Sequence, residues 1–123
     1  MAGRATLWSG TPLVNTVGDG VNWKPSEDVD EAVRSWMKSK GWEVTKVNYD
    51  FDREIYAWRH ELKGKPSPTL RISQGVLEAY PPFAVVEHLD RLNVAAAIRR
   101  TPNSRFVVVQ NGTAVTLEEA ASS

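Results

Sequence analysis

The sequence predicts an α+β domain: a two-layer sandwich with a mostly antiparallel sheet, helices on one face, and the order α-β-β-β-α-(α)-β-β after an irregular amino-terminal lead-in. Three observations carry this. An amphipathic segment over 27–41 passes directly into strand-like sequence that ends near Ser73. A second helical stretch begins at Pro82. The chain then closes on Arg105-Phe106-Val107-Val108-Val109-Gln110, a buried-looking strand, followed by Asn111-Gly112, a strong hairpin signal.

In the first helix, Val29, Ala32, Val33, Trp36 and Met37 fall at the spacing of one helical stripe. Ser26 is placed to cap it, Glu27, Asp28, Asp30 and Glu31 crowd its positive end, and Arg34, Lys38 and Lys40 lie toward its negative end. Gly41 supplies a left-handed stop. The acidic cluster is thus accounted for by helix-end electrostatics and calls for no metal.

Upstream, residues 1–25 scatter Leu7, Trp8, Leu13, Val14, Val17, Val21 and Trp23 among glycines and prolines without a helical period. They read as a lead-in packed on the core, with a tight loop or short hairpin at Gly18-Asp19-Gly20. The domain proper is expected over 26–117 and a frayed tail over 118–123.

After Gly41 the run from Trp42 to Tyr49 alternates as a strand, with a change of phase that calls for a bulge at Thr45-Lys46. A turn at Asp50-Phe51-Asp52 leads to a second strand, Arg53 to Leu62. Along it Tyr56, Trp58, His60 and Leu62 share one face, and Ile55, Ala57, Arg59 and Glu61 the other. Thr69 to Ser73 is a third strand, with Leu70 and Ile72 inward and Arg71 outward. Gln74 to Tyr80 is one short helical turn, Phe83, Val86, Leu89 and Leu92 mark a helix, and Asn93 interrupts it before Val94 to Arg100. Thr113 to Leu117 is the return strand of the last hairpin.

Composition narrows the function classes. The chain of 123 residues has no cysteine, which excludes disulfides, thiolate nucleophiles and sulfur-ligated zinc. Fifteen basic and fifteen acidic residues cancel when both histidines are neutral, so any attraction for a polyanion must come from a local patch. No apolar run reaches the ~20 residues needed to cross a bilayer, and no secretory signal opens the chain, so a soluble cytoplasmic protein without a membrane partner is expected. No cofactor is called for. His60 and His88 have glutamate neighbours that face away from them on a strand or helix, which makes neither pair a catalytic dyad.

The main functional reading is a small non-enzymatic binding module. Tyr49, Phe51, Tyr56 and Trp58 are interleaved with Lys46, Arg53, Arg59, Lys63, Lys65 and Arg71, the mixture of stacking rings and cations that binds single-stranded nucleic acid. The expected ligand contacts are Lys46, Arg53, Tyr56, Trp58, Arg59 and Arg71, with Arg99 and Arg100 as secondary backbone contacts. The structural alternative places the rings in the core and pairs the charges across strands. A protein partner, or self-association through the edge strand at Thr113 to Leu117, is the second functional reading.

Two family outlines are also present. The order helix, three strands, helix, strand, together with Glu61-Leu62-Lys63, resembles the PD-(D/E)xK nuclease superfamily. The resemblance implies a Mg²⁺ site using Asp50 or Asp52 with Glu61, a helical carboxylate in Glu31, and Lys63 to activate water. Here Glu61 and Lys63 fall on the second strand, where that family would place them on the third. The α-β-β-β-α part is similar in outline to the double-stranded-RNA-binding domain, but Pro81-Pro82-Phe83-Ala84 stands where that family has a lysine-rich helix start.

Overall fold

The computed structural model describes residues 23–102 and 104–119. The expected lead-in, including Gly18-Asp19-Gly20, therefore lies outside the described residues except for Trp23, Lys24 and Pro25.

The first helix, α1 (Glu27–Ser39), begins where Ser26 Oγ accepts from the Val29 N–H at 3.3 Å. Its far end closes as a Schellman motif: Gly41, at φ +94°, donates to the Lys38 carbonyl and Trp42 donates to that of Met37. Trp42 is buried beside the helix end it completes. It therefore belongs to the cap, and strand β1 (Lys46–Asp50) starts later than the alternation predicted. The bulge is present. Thr45 N–H donates to the Arg59 carbonyl while Lys46 is the register partner of the same residue, so two residues face one.

Strand β2 (Ile55–Arg59) pairs antiparallel with β1 and with β3 (Thr69–Ser73). Ser73 ends β3 and at once caps α2 (Gln74–Ala79), its Oγ accepting from Val76 N–H. Helix α3 (Pro82–Arg91) starts with proline in the first turn, where the missing N–H costs nothing. Asn93, in the left-handed region at φ +54°, separates it from α4 (Val94–Arg100). The last hairpin is β4 (Phe106–Asn111) and β5 (Ala114–Glu119). Asn111 pairs with Ala114, so Gly112 (φ +64°) and Thr113 form the turn, one residue later than an Asn-Gly turn would place it. Glu118 and Glu119, expected in the frayed tail, pair with Val107 and Phe106, and the rest of that expected tail lies outside the described residues.

The sheet runs in chain order, β1-β2-β3-β4-β5, antiparallel throughout except for the parallel β3–β4 contact. All four helices pack on the same side. Val29, Val33, Trp36 and Met37 of α1, Val76 and Leu77 of α2, Val85 and Leu89 of α3, and Val94 and Ile98 of α4 form one cluster with Tyr56, Trp58, Leu70, Ile72, Val108 and Val115 of the sheet. Removing this apolar surface from water is the dominant stabilising contribution. Two buried indoles find carboxylate acceptors: Trp58 Nε1 donates to Asp30 at 2.9 Å and Trp36 Nε1 to Asp90 at 2.8 Å. Alternation then fixes the other side of the sheet, which carries Lys46, Asn48, Ala57, Arg59, Thr69, Arg71 and their neighbours.

Candidate functional site

The expected union of aromatic rings and cations on one surface is corrected by the structure. Trp58 is 0% exposed and Tyr56 7% exposed. Both rings point into the helix layer, with Trp58 tied to Asp30 of α1 and Tyr56 lying edge-on to Trp23 at 6.0 Å between centroids. Neither ring can stack on a base. The physical reason is alternation: residues 56 and 58 share the core face with Leu70 and Ile72, while 57, 59 and 71 point the opposite way.

What remains on the opposite face is a concave recess of about 360 Å³ lined by Lys46, Val47, Asn48, Ala57, Arg59, Thr69, Arg71 and Arg105. Register builds it. Lys46 of β1 stands directly opposite Arg59 of β2, Ala57 lies between Asn48 and Arg71, and the parallel pairing of Ile72 with Val108 brings Arg105, just before β4, beside β3. Like charges directly across a strand pair are unfavourable, and a cross-strand carboxylate would normally relieve them. None does so among the described residues, where the ion pairs are Arg34–Asp30, Lys40–Asp90 and Arg53–Asp50. Lys46, Arg59, Arg71 and Arg105 are left facing a common space. The Arg71 guanidinium is pushed below its usual value, first by burial and then by the positive charges of Arg105 and Arg59. It nonetheless stays protonated at neutral pH, as guanidinium groups do.

A second, smaller recess continues past Asn48 to Asp50, Arg53 and Ile55. Arg53 thus borders the site, but Asp50 holds it at 3.2 Å in the turn. On the other side the surface extends to Ser67 and Pro102. Among the described residues no aromatic side chain lines any of these recesses.

Arg99 and Arg100 do not join the site. They are on α4 in the helix layer, and Arg99 donates to the Lys40 carbonyl at 3.0 Å while lying over the Trp42 ring at 5.1 Å. Arg99 therefore serves as a positive cap for α1. Arg105, by contrast, is a site residue that the site reading of the sequence missed. Its signal was parity: Arg105 is in phase with Val107 and Val109, two residues and four residues along the last strand, and this phase faces away from Val108.

The nuclease arrangement is not assembled. Asp52 lies in the turn before β2 and Glu61 beyond its other end, so the length of the five-residue strand, about 16 Å, separates them. Glu61 and Lys63 line a shallow surface with Thr45 and Leu62. Asp50 is occupied by Arg53, and Asp30, near Glu31, by Arg34 and Trp58. Among the described residues no three His, Cys, Asp or Glu side chains are grouped to hold a metal ion. No helix among them is long and apolar enough to cross a membrane. No protein-family model matches this chain, and comparison with curated proteins and with solved structures returns no match either.

Proposed function

We propose that this protein is a polyanion-binding module that takes the phosphate backbone of a nucleic acid on the open face of its sheet. The observation that carries the reading is the convergence of Lys46, Arg59, Arg71 and Arg105 on one recess with no ion pair to a carboxylate among the described residues. In a chain of zero net charge the acidic cluster Glu27, Asp28, Asp30 and Glu31 sits on α1 in the other layer, while on the open face Asp50 is held by Arg53 and Glu118 stands on β5 opposite Val107. Phosphate oxygens relieve the mutual repulsion of the four cations and release condensed counterions as they bind. Arginine suits the task, because its planar fork meets phosphate through paired hydrogen bonds.

The missing rings define the mode. With Tyr56 and Trp58 in the core, contacts go to the sugar-phosphate chain, and sequence discrimination is weak. Dissociation constants of 10⁻⁴–10⁻⁶ M, on the order typical of backbone-only binding at physiological salt, are expected. The test is anisotropy of a labelled oligonucleotide at low salt, with the wild type beside a variant carrying glutamine at 46, 59, 71 and 105. The reading requires binding by the wild type and its loss in the variant. Equal binding by both contradicts it, and displacement by inorganic phosphate as readily as by oligonucleotide would assign the recess to a small phosphoryl ligand.

A further inference from the structure

The open edge of β1 carries a self-complementary pattern. The His60 N–H donates to the Pro68 carbonyl and the Gln74 N–H to that of Glu54, so even-numbered positions along β2 direct their backbone groups toward β3. Ile55, Ala57 and Arg59 consequently use theirs toward β1, where their register partners are Asp50, Asn48 and Lys46. Alternation then directs the N–H and C=O groups of Val47 and Tyr49 outward, away from the sheet. β1 is the terminal strand, and no described residue pairs with that edge.

We infer that a second copy of this chain pairs antiparallel along β1, about a two-fold axis at Asn48. That register uses the outward groups in full: Val47 and Tyr49 of each copy exchange N–H···O=C bonds with Tyr49 and Val47 of the other. It places Lys46 of each copy opposite Asp50 of the other on the open face, two cross-strand ion pairs that the strand's own sequence supplies. Within one molecule Asp50 already binds Arg53, and the incoming lysine adds a second cation to the same carboxylate. Val47 meets Tyr49 on the core side, and Asn48 meets Asn48 at the axis.

The opposite edge lacks this property. β5 (Ala114–Glu119) carries two glutamates and no cation, so any two-fold pairing sets acid against neutral or acidic residues, and association through the C-terminal edge is disfavoured. Pairing at β1 joins two five-stranded sheets into one of ten and places the two recesses side by side. A duplex or strand that reaches across the axis would then meet Arg59, Arg71 and Arg105 of both copies, Lys46 being paired with Asp50 across the axis. That last consequence rests on the proposed function, whereas the pairing itself does not, and it is tested without nucleic acid.

The chain has no cysteine, so a single introduced thiol reports its own neighbour. Asn48 faces its symmetry mate as a non-hydrogen-bonded pair with Cα atoms about 4.5 Å apart, within the roughly 4.4–6.8 Å that a disulfide spans. Asn48→Cys is expected to form a covalent dimer under mild oxidation, and Thr116→Cys on β5 to stay monomeric. In sedimentation, Lys46→Asp and Asp50→Lys should each weaken self-association by about tenfold or more, and an equimolar mixture of the two should restore it, because each copy then opposes its partner with the other sign. A wild type that stays monomeric up to about 1 mM, crosslinking at 116 in preference to 48, or variants that associate as the wild type does would each overturn the pairing.

Discussion

Trp58 and Arg59 are neighbours in sequence and belong to opposite worlds. Trp58 is enclosed by the helix layer and its indole N–H is taken by Asp30, whereas Arg59 faces an open recess with three other cations. The same contrast holds for the two faces of the sheet as wholes. The core face carries Tyr56, Trp58, Leu70, Ile72, Val108 and Val115 in contact with four helices. The recess of the open face carries Lys46, Arg59, Arg71 and Arg105 with no ion pair to a described carboxylate, Asp50 on that face being held by Arg53. One face is arranged for stability and the other against it. Under the proposed function a polyanion supplies the negative charge that the fold omits there.

The largest expected effect breaks the first face. Trp58→Ala removes the largest fully buried side chain and leaves a cavity, and should cost about 3–5 kcal/mol, read as a fall in the urea midpoint. Trp58→Phe keeps one ring but removes the donor to Asp30 and part of the buried volume, and should cost less than Trp58→Ala, about 1–3 kcal/mol.

Substitution on the second face should show the reverse pattern. Arg71→Gln lies between Ala57 and the Arg105 side of the recess and relieves repulsion from Arg59 and Arg105, so stability should stay within about 0.5 kcal/mol of the wild type or rise slightly. Its oligonucleotide affinity should fall several-fold. A large loss of stability in Arg71→Gln would erase the distinction between the faces.

An alkaline titration sharpens the comparison further. Burial first, and the Asp30 carboxylate second, raise the Tyr56 hydroxyl above its ordinary value of 10.0, with Arg34 opposing. The folded chain therefore holds that proton more tightly than the unfolded chain does. The contribution is present below pH 10 and is lost as pH rises through the raised value. Denaturant melts above pH 10 should show the decline, and Tyr56→Phe should flatten it. The smallest effect belongs to Phe83, a large apolar residue 74% exposed on α3. Phe83→Ser should shift the urea midpoint by no more than the equivalent of about 0.5 kcal/mol.

Most of the architecture was legible because each element carried several concordant local signals. The capped, amphipathic α1, Pro82 at the start of α3, Asn93 at the α3–α4 break and the Thr45-Lys46 bulge all follow from residue chemistry within a few positions. The site was only half legible. Alternation correctly divided Tyr56 and Trp58 from Arg59, but local sequence does not say which face the helices cover. Choosing the aromatic face as open placed two core residues in the site. Arg105 was hidden for a different reason, since its approach to Arg71 depends on the parallel β3–β4 pairing across three intervening helices. Trp42 and Gly112 show the finer limit, where cap and turn geometry moved a strand start and a hairpin by a few residues or fewer.

The most direct test of the central claim is the salt dependence of oligonucleotide binding by the wild type and by Arg71→Gln. Four phosphate contacts on the open face predict a slope of log affinity against log salt near about −3, reduced in magnitude by about 0.7–0.9 when the Arg71 charge is removed. Binding that ignores salt, or a slope that Arg71→Gln leaves unchanged, would contradict the assignment of the open face as the polyanion surface.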